Sequence, residues 1–250
     1  MKRIIDVHGH LGEYALFHNP KNSADDLVRR LDSMGIERLI LSSNPAFASD
    51  YKFGNDLTAD AVKRHTGRLF GYVVANPNYS DETEEEFNRC LTLPGFVGVK
   101  LHPSTHNYPL DGEGYRPALQ FAIRRNLPVL IHFWFTDSRC GEAAVRKVMK
   151  NFPALRLILA HFGGPDNAFK ALPQLYRDFP TLNFDTACSR SPKGIIEFLV
   201  KEGLENALLY GSDMPFYDPG SQLGKVEFSS ISEEVRLKIL SENAVKLFNW

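Results

Sequence analysis

Short apolar runs rich in Val, Ile, Leu and Phe recur along the chain, and each is followed by an amphipathic stretch long enough for three or four helical turns. Eight such pairs can be traced. The pattern predicts strands over 3–8, 38–43, 69–75, 97–102, 129–132, 156–161, 182–185 and 207–211. It predicts helices over roughly 23–34, 55–66, 81–91, 114–125, 141–151, 167–178, 192–202 and 233–248. Ser23 with Asp26 fits a capping box for the first helix, Ser232 fits an N-cap for the last, and Glu84-Glu85-Glu86 reads as a solvated helix face.

Turns from helix to strand are short throughout, whereas those from strand to helix are longer, notably 11–22, 103–113 and 214–231. Eight βα units with elaboration on one rim predict an α/β protein, a (β/α)8 TIM barrel forming one domain over 1–250. Its site is expected at the C-terminal ends of the strands. A doubly wound sheet is the alternative, but no glycine-rich phosphate loop follows the first strand. The chain carries 29 Lys plus Arg against 30 Asp plus Glu, a net charge of -1, which argues against a nucleic-acid partner. No apolar run is long enough for a bilayer span, and Asp6 comes too early for a signal peptide. The expectation is a cytoplasmic protein acting on a small molecule, with no membrane partner and with a homo-oligomer left open. Cys90, Cys140 and Cys188 are odd in number and far apart, which suits buried, reduced thiols.

Period-two alternation then asks which side chains point into the barrel. It places Asp6, His8 and His10 inward, with Ile5 and Val7 toward the helices. It also brings Lys100, His102, His132, His161 and Asp213 to strand ends. Chance would put about 0.5 histidines on the roughly 16 rim positions of such a barrel, yet five fall there. Imidazoles and a carboxylate are what Zn, Mn, Fe, Co or Ni accept, and a catalytic site keeps one position open for water. His8, His10, His132 and Asp213 would supply such a set, with Asp213 also placed to take a proton from metal-activated water. His161 either ligates a second metal or sits beside a single one, polarising substrate or relaying a proton.

Five stretches carry a family resemblance: Ile5-Asp6-Val7-His8-Gly9-His10, Val97 to Pro103, Val129-Leu130-Ile131-His132, Leu157 to Gly164 and Leu209 to Pro215, with its Gly-Ser-Asp-Met-Pro ending. Over its whole length the chain resembles the amidohydrolase superfamily, in the amidohydrolase-related branch that includes aminocarboxymuconate semialdehyde decarboxylase. The resemblance implies metal ligation by His8, His10, His132 and Asp213, with His161 as the strand 6 residue. Some binuclear relatives bridge two metals through a carboxylated lysine at the position of Lys100, but Gly-Val-Lys-Leu-His-Pro is closer to the mononuclear branch. One metal, zinc first among the candidates, is therefore expected rather than two.

Aromatic residues crowd the same rim: Phe133, Trp134, Phe135 and Phe162 follow ligand histidines, and Phe216 and Tyr217 follow Asp213. They either pack the barrel top or wall a cyclic substrate. Candidate substrate contacts are Lys100, His102, Trp134, Phe162 and Tyr217; Arg139, Arg190, Lys193, Asp185 and Ser189 are weaker ones. Because decarboxylases of this branch usually have longer chains, the leading expectation is a metal-dependent hydrolase attacking an amide, lactone or ester carbonyl, with Asp213 and His161 catalytic. The alternative is a metal-dependent, non-oxidative decarboxylase of a carboxylated aromatic or muconate-like acid. A phosphoesterase or a catalytically silent barrel ranks below both.

Overall fold

A computed structural model of the chain describes residues 2–164, 167–188 and 190–250. Eight parallel strands follow one another in a single sheet: β1 (Ile5–Leu11), β2 (Arg38–Ser43), β3 (Leu69–Val74), β4 (Phe96–Leu101), β5 (Val129–Ile131), β6 (Leu157–Leu159), β7 (Asn183–Asp185) and β8 (Leu208–Leu209). The first and last strands meet through three backbone bonds. Val7 N donates to Tyr210 O at 3.0 Å, Asp213 N to His8 O at 2.8 Å and His10 N to Met214 O at 2.7 Å. The sheet thus closes into the predicted (β/α)8 barrel. All eight predicted strands are present.

The two faces of the strands separate into two clusters. Leu39, Leu41, Val73, Val99, Leu101, Val129 and Ile131 pack outward with helix residues such as Leu27, Leu31, Val62, Phe121 and Val145. Ile40, Tyr72, Leu130, Ile158 and Leu209, of the opposite parity, form the inner cluster, and Leu247 and Phe248 plug its lower end from the last helix. Here the structure corrects the alternation for β1. Ile5 and Val7 belong to the inner cluster, not to the helix-facing one. A register shift between Asp6 and Gly9 inserts an extra residue and resets the parity, so that His8 and His10 also reach the interior. A strict period of two cannot foresee a bulge.

The capping box at Ser23 is present, with Ser23 accepting from Asp26 N and Asp26 accepting from Ser23 N, and Ser232 accepts from Val235 N. The acidic run is only partly solvated: Glu86 is buried, accepting from Asn55 Nδ2 at 2.9 Å and pairing with Arg89. The three cysteines are free and buried, as expected. Among the described residues no helix is long and apolar enough to cross a membrane. The 214–231 segment, read as a loop, contains the helix Pro219–Glu227, whose N-cap Asp218 accepts from Gly220 N. Two further short helices, Asn44–Ala48 and Pro103–His106, follow β2 and β4 on the site side.

The helix after β2 is held by Gly54 of helix Tyr51–Arg64, because a Cβ there would lie 2.2 Å from Ala46 N and 2.3 Å from its Cα. Those are backbone atoms that cannot swing aside. Gly54→Ala is expected to cost about 1–3 kcal/mol by overpacking, which for a chain of this size lowers the melting temperature by roughly 2–4 °C per kcal/mol. Scanning calorimetry checks this, and an unchanged Tm would show that the two helices can separate freely. The packing reaches the site through Phe47, whose ring lies 5.4 Å from His10 and 4.9 Å from His102.

Candidate active site

At the C-terminal ends of the strands a cavity of about 600 Å³ opens, lined by His8, His10, Lys100, His102, His132, Trp134, His161 and Asp213, and roofed in part by Tyr14, Phe17, Phe216 and Tyr217. Nine of the ten candidate residues from the sequence lie around this one space. Phe162 does not. It is fully buried in the outward core, so packing rather than substrate contact accounts for it. Phe133 is likewise buried in the core. Arg139 is paired with Asp137 at 3.2 Å, Arg190 and Lys193 are not among the lining residues, and Ser189 lies outside the described residues.

Three donor atoms converge. His8 Nε2 and His10 Nε2 are 3.2 Å apart, and Asp213 Oδ1 lies 3.4 Å from the first and 3.1 Å from the second. Lys100 Nζ stands 3.0 Å from the same His8 nitrogen. On the other side of His8, Nδ1 meets Asp185 Oδ2 at 2.7 Å. His161 is held by its backbone N–H on Asp185 Oδ1 at 2.8 Å and by Nδ1 on the Ala187 carbonyl at 2.7 Å, which leaves Nε2 facing His132 Nδ1 at 3.1 Å. His132 stacks on His102 at 4.4 Å and on Trp134 at 5.9 Å. It stands beside His161 and outside the three-donor cluster of His8, His10 and Asp213.

The backbone makes an unusual effort to present these groups. His161 and Asp213 both sit at left-handed φ, 65° and 60°, a region that costs a non-glycine residue on the order of 1–3 kcal/mol. Asp6 ties the ends of β1 and β8 together, its Oδ1 accepting from His8 N at 3.1 Å and Ser212 N at 3.0 Å.

Burial lowers the proton affinity of His8, His10, His102, His132 and His161, so all five are neutral near pH 7 and offer lone pairs. Burial alone would raise Asp213, but the hydrogen bond from His10 and the nearby Lys100 ammonium hold it below the usual carboxylate value. Burial pulls Lys100 down to about 8, partly offset by Asp213 and Asp185. The donor set fits a cation. With the ring proton of His8 on Nδ1, its Nε2 is a lone pair met here by the Lys100 ammonium, and it converges with His10 Nε2 and the Asp213 carboxylate, all within 3.4 Å of one another. Two neutral imidazoles and a carboxylate are the ligands that a borderline divalent ion takes.

Sequence reasoning missed several lining residues. Tyr14, Leu16 and Phe17 come from the loop after β1, where Phe17 stacks on Phe216 at 4.7 Å and Tyr14 lies 5.5 Å from it. Leu16 and Phe17 are 77% and 44% exposed, an apolar lip on a solvent-facing loop. Ser104 and Thr105 enter from the short helix after β4, and Asp137 from the loop after β5. The one available signal was the unusual length of the 11–22 turn combined with its aromatic content.

The amidohydrolase family model matches residues 5–250, and the chain belongs to that family, in its amidohydrolase 2 branch. The gamma-resorcylate decarboxylase of Rhodococcus jostii (strain RHA1) is 25% identical over 286 aligned positions, covering 90% of this chain and 87% of that protein. A solved 2,6-dihydroxybenzoate decarboxylase in complex with 2,6-dihydroxybenzoate superposes with a TM-score of 0.79 at 19% identity, covering 100% of each chain. A dihydroxybenzoic acid decarboxylase from Polaromonas sp. JS666, solved with manganese and 2-nitroresorcinol, gives 0.77 at 20% identity over 100% of this chain and 97% of the other.

These likenesses overturn the hydrolase expectation, since the relatives are named as decarboxylases. The size argument that favoured hydrolysis fails, because the match to the decarboxylase covers 90% of this chain and 87% of that longer protein. The donor set is equally silent, because a polarising metal serves both reactions and the bound substrate decides which bond breaks.

Proposed function

We propose that this protein is a metal-dependent, non-oxidative decarboxylase of a hydroxylated aromatic carboxylic acid. The observation that carries the reading is an aromatic-walled cavity of about 600 Å³ that opens directly onto the His8, His10 and Asp213 donors. Its size suits a single substituted ring. His8, His10 and Asp213, with His132 as the further donor expected from the sequence, hold one divalent ion, manganese or zinc. When bound, that ion neutralises and polarises the substrate oxygens.

The chain's own residues do the rest. Trp134, Tyr14, Phe17, Phe216 and Tyr217 sandwich the ring and exclude water from its carboxylate end. Lys100, the buried ammonium of the wall, offsets substrate charge, and His102, stacked on His132, lines the same cavity. His161 moves the proton. Its Nδ1–H is committed to the Ala187 carbonyl, so the proton to be delivered is carried on Nε2, which faces the cavity wall beside His132. Burial makes that imidazolium a strong acid, and the negative charge of Asp213 together with an incoming carboxylate favours its formation. Delivery of the Nε2 proton to the ring carbon that bears the carboxylate lets the C–C bond break, releasing carbon dioxide and leaving a C–H bond in its place.

The test is incubation of manganese-loaded protein with 2,6-dihydroxybenzoate, the compound bound in a structural relative. Resorcinol and carbon dioxide in equal amounts are the expected products. Failure to turn over any of a series of mono- and dihydroxybenzoates, with metal shown to be bound, would refute the assignment.

A further inference from the structure

At the end of β7 two histidines from two other strands are gripped by one side chain. Asp185 is fully buried and spends both carboxylate oxygens there: Oδ2 on His8 Nδ1 at 2.7 Å, and Oδ1 on the backbone N–H of His161 at 2.8 Å and of Ala187 at 3.1 Å. We propose that Asp185 is a positioning residue that fixes the ring proton of His8 on Nδ1, so that Nε2 is kept as a metal-binding lone pair, while the same carboxylate seats His161 in its left-handed turn. The inference deepens the metal-dependent reading of the site and rests on it.

Three features support the assignment. A histidine whose far nitrogen donates to a carboxylate is held in one tautomer and is a better ligand for it. Lys100 Nζ lies 3.0 Å from His8 Nε2, and an ammonium has only donors to offer, so a proton on Nε2 would face another proton. Finally, Asp185 is not itself positioned as a ligand, because its two oxygens are already occupied by three N–H donors. The left-handed φ of 65° at His161 needs an over-determined setting, and the Asp185 bond to His161 N with the Ala187 carbonyl on Nδ1 provides it.

Asp185→Asn separates this role from simple packing, since asparagine has the same shape but one acceptor fewer. Its oxygen can keep the two amides only if its NH2 group is turned toward His8 Nδ1. That orientation forces the His8 proton onto Nε2. The expected result is a folded variant whose manganese affinity, measured by competition with a chelator, falls about 10- to 100-fold. In metal-free protein, nitrogen-15 NMR of labelled histidine should find the His8 proton on Nδ1 in the wild type and on Nε2 in the variant. Unchanged manganese affinity in Asp185→Asn would overturn the proposal. So would a wild-type His8 protonated on Nε2, a measurement that stands even if the variant does not fold. If the tautomers behave as expected but wild-type protein takes up no manganese, the metal-dependent reading of the site is what fails, and with it the ligand half of this proposal.

Discussion

Replacing His8 and His10 together with alanine should abolish decarboxylation, with a fall of at least about 10³-fold, and should remove the bound metal in parallel. Two of the three converging donors vanish, and Asp213 Oδ1 is left without the nitrogens that lie 3.4 and 3.1 Å from it. A carboxylate with His132 as its one remaining partner does not hold a borderline divalent ion against water, and losing the polarised substrate oxygen removes several kcal/mol of transition-state stabilisation. Elemental analysis of protein purified without a histidine tag gives the stoichiometry, and the wild type is expected to hold one equivalent. Treating the wild type with a chelator should reproduce the loss of activity, and adding manganese back should restore it. The barrel itself should survive, because both rings sit at its open end and the inner cluster of Ile5, Val7, Ile40, Tyr72 and Leu130 is untouched. Metal retained at wild-type stoichiometry in the double variant would show that the ion binds elsewhere.

Much of this arrangement is legible in the amino-acid sequence. The alternation of apolar runs with amphipathic stretches placed all eight strands, because buried parallel strands must be apolar on both faces while their helices are apolar on one. The histidines were legible for a related reason: a polar residue closing an apolar run, as at His132 and His161, has few bland explanations. Two kinds of information were out of reach. The parity of β1 was misread because the shift between Asp6 and Gly9 leaves no mark in a pattern of apolar and polar letters, so Ile5 and Val7 were sent to the wrong face. The apolar lip of Tyr14, Leu16 and Phe17 is not legible because loop residues are brought to a site by tertiary contacts, here of Tyr14 and Phe17 with Phe216 and Phe47, and not by any local period. Phe162 was misplaced by adjacency. It follows His161, but at φ 51° the chain turns its ring down into the outer core. Asp185 was noted only as a weak substrate contact, since nothing in sequence tells that it reaches across to a histidine 177 positions earlier.

His161→Asn carries the second large effect, and it distinguishes proton delivery from metal binding. Asparagine is among the few residues that tolerate left-handed backbone, so φ 65° and the bond from residue 161 N to Asp185 can persist. What is lost is the ring nitrogen that carries the proton. General acid catalysis by a positioned side chain is worth about 10²–10⁴-fold, and kcat is expected to fall by that factor. KM and bound metal should change little, because the ring-sandwiching aromatics and the His8, His10 and Asp213 donors are left in place. The two readings of this histidine diverge at that point. If His161 serves mainly as a ligand, metal content must fall with activity; if it serves mainly as the acid, metal stays and only turnover collapses. The solvent isotope effect sharpens the distinction, since a rate limited by proton transfer from Nε2 to the ring carbon should slow in deuterium oxide for the wild type. A variant that keeps both its metal and its rate would remove His161 from the reaction and move the search for the acid to the other proton-carrying groups that line the same cavity, Asp213 and Lys100 first among them.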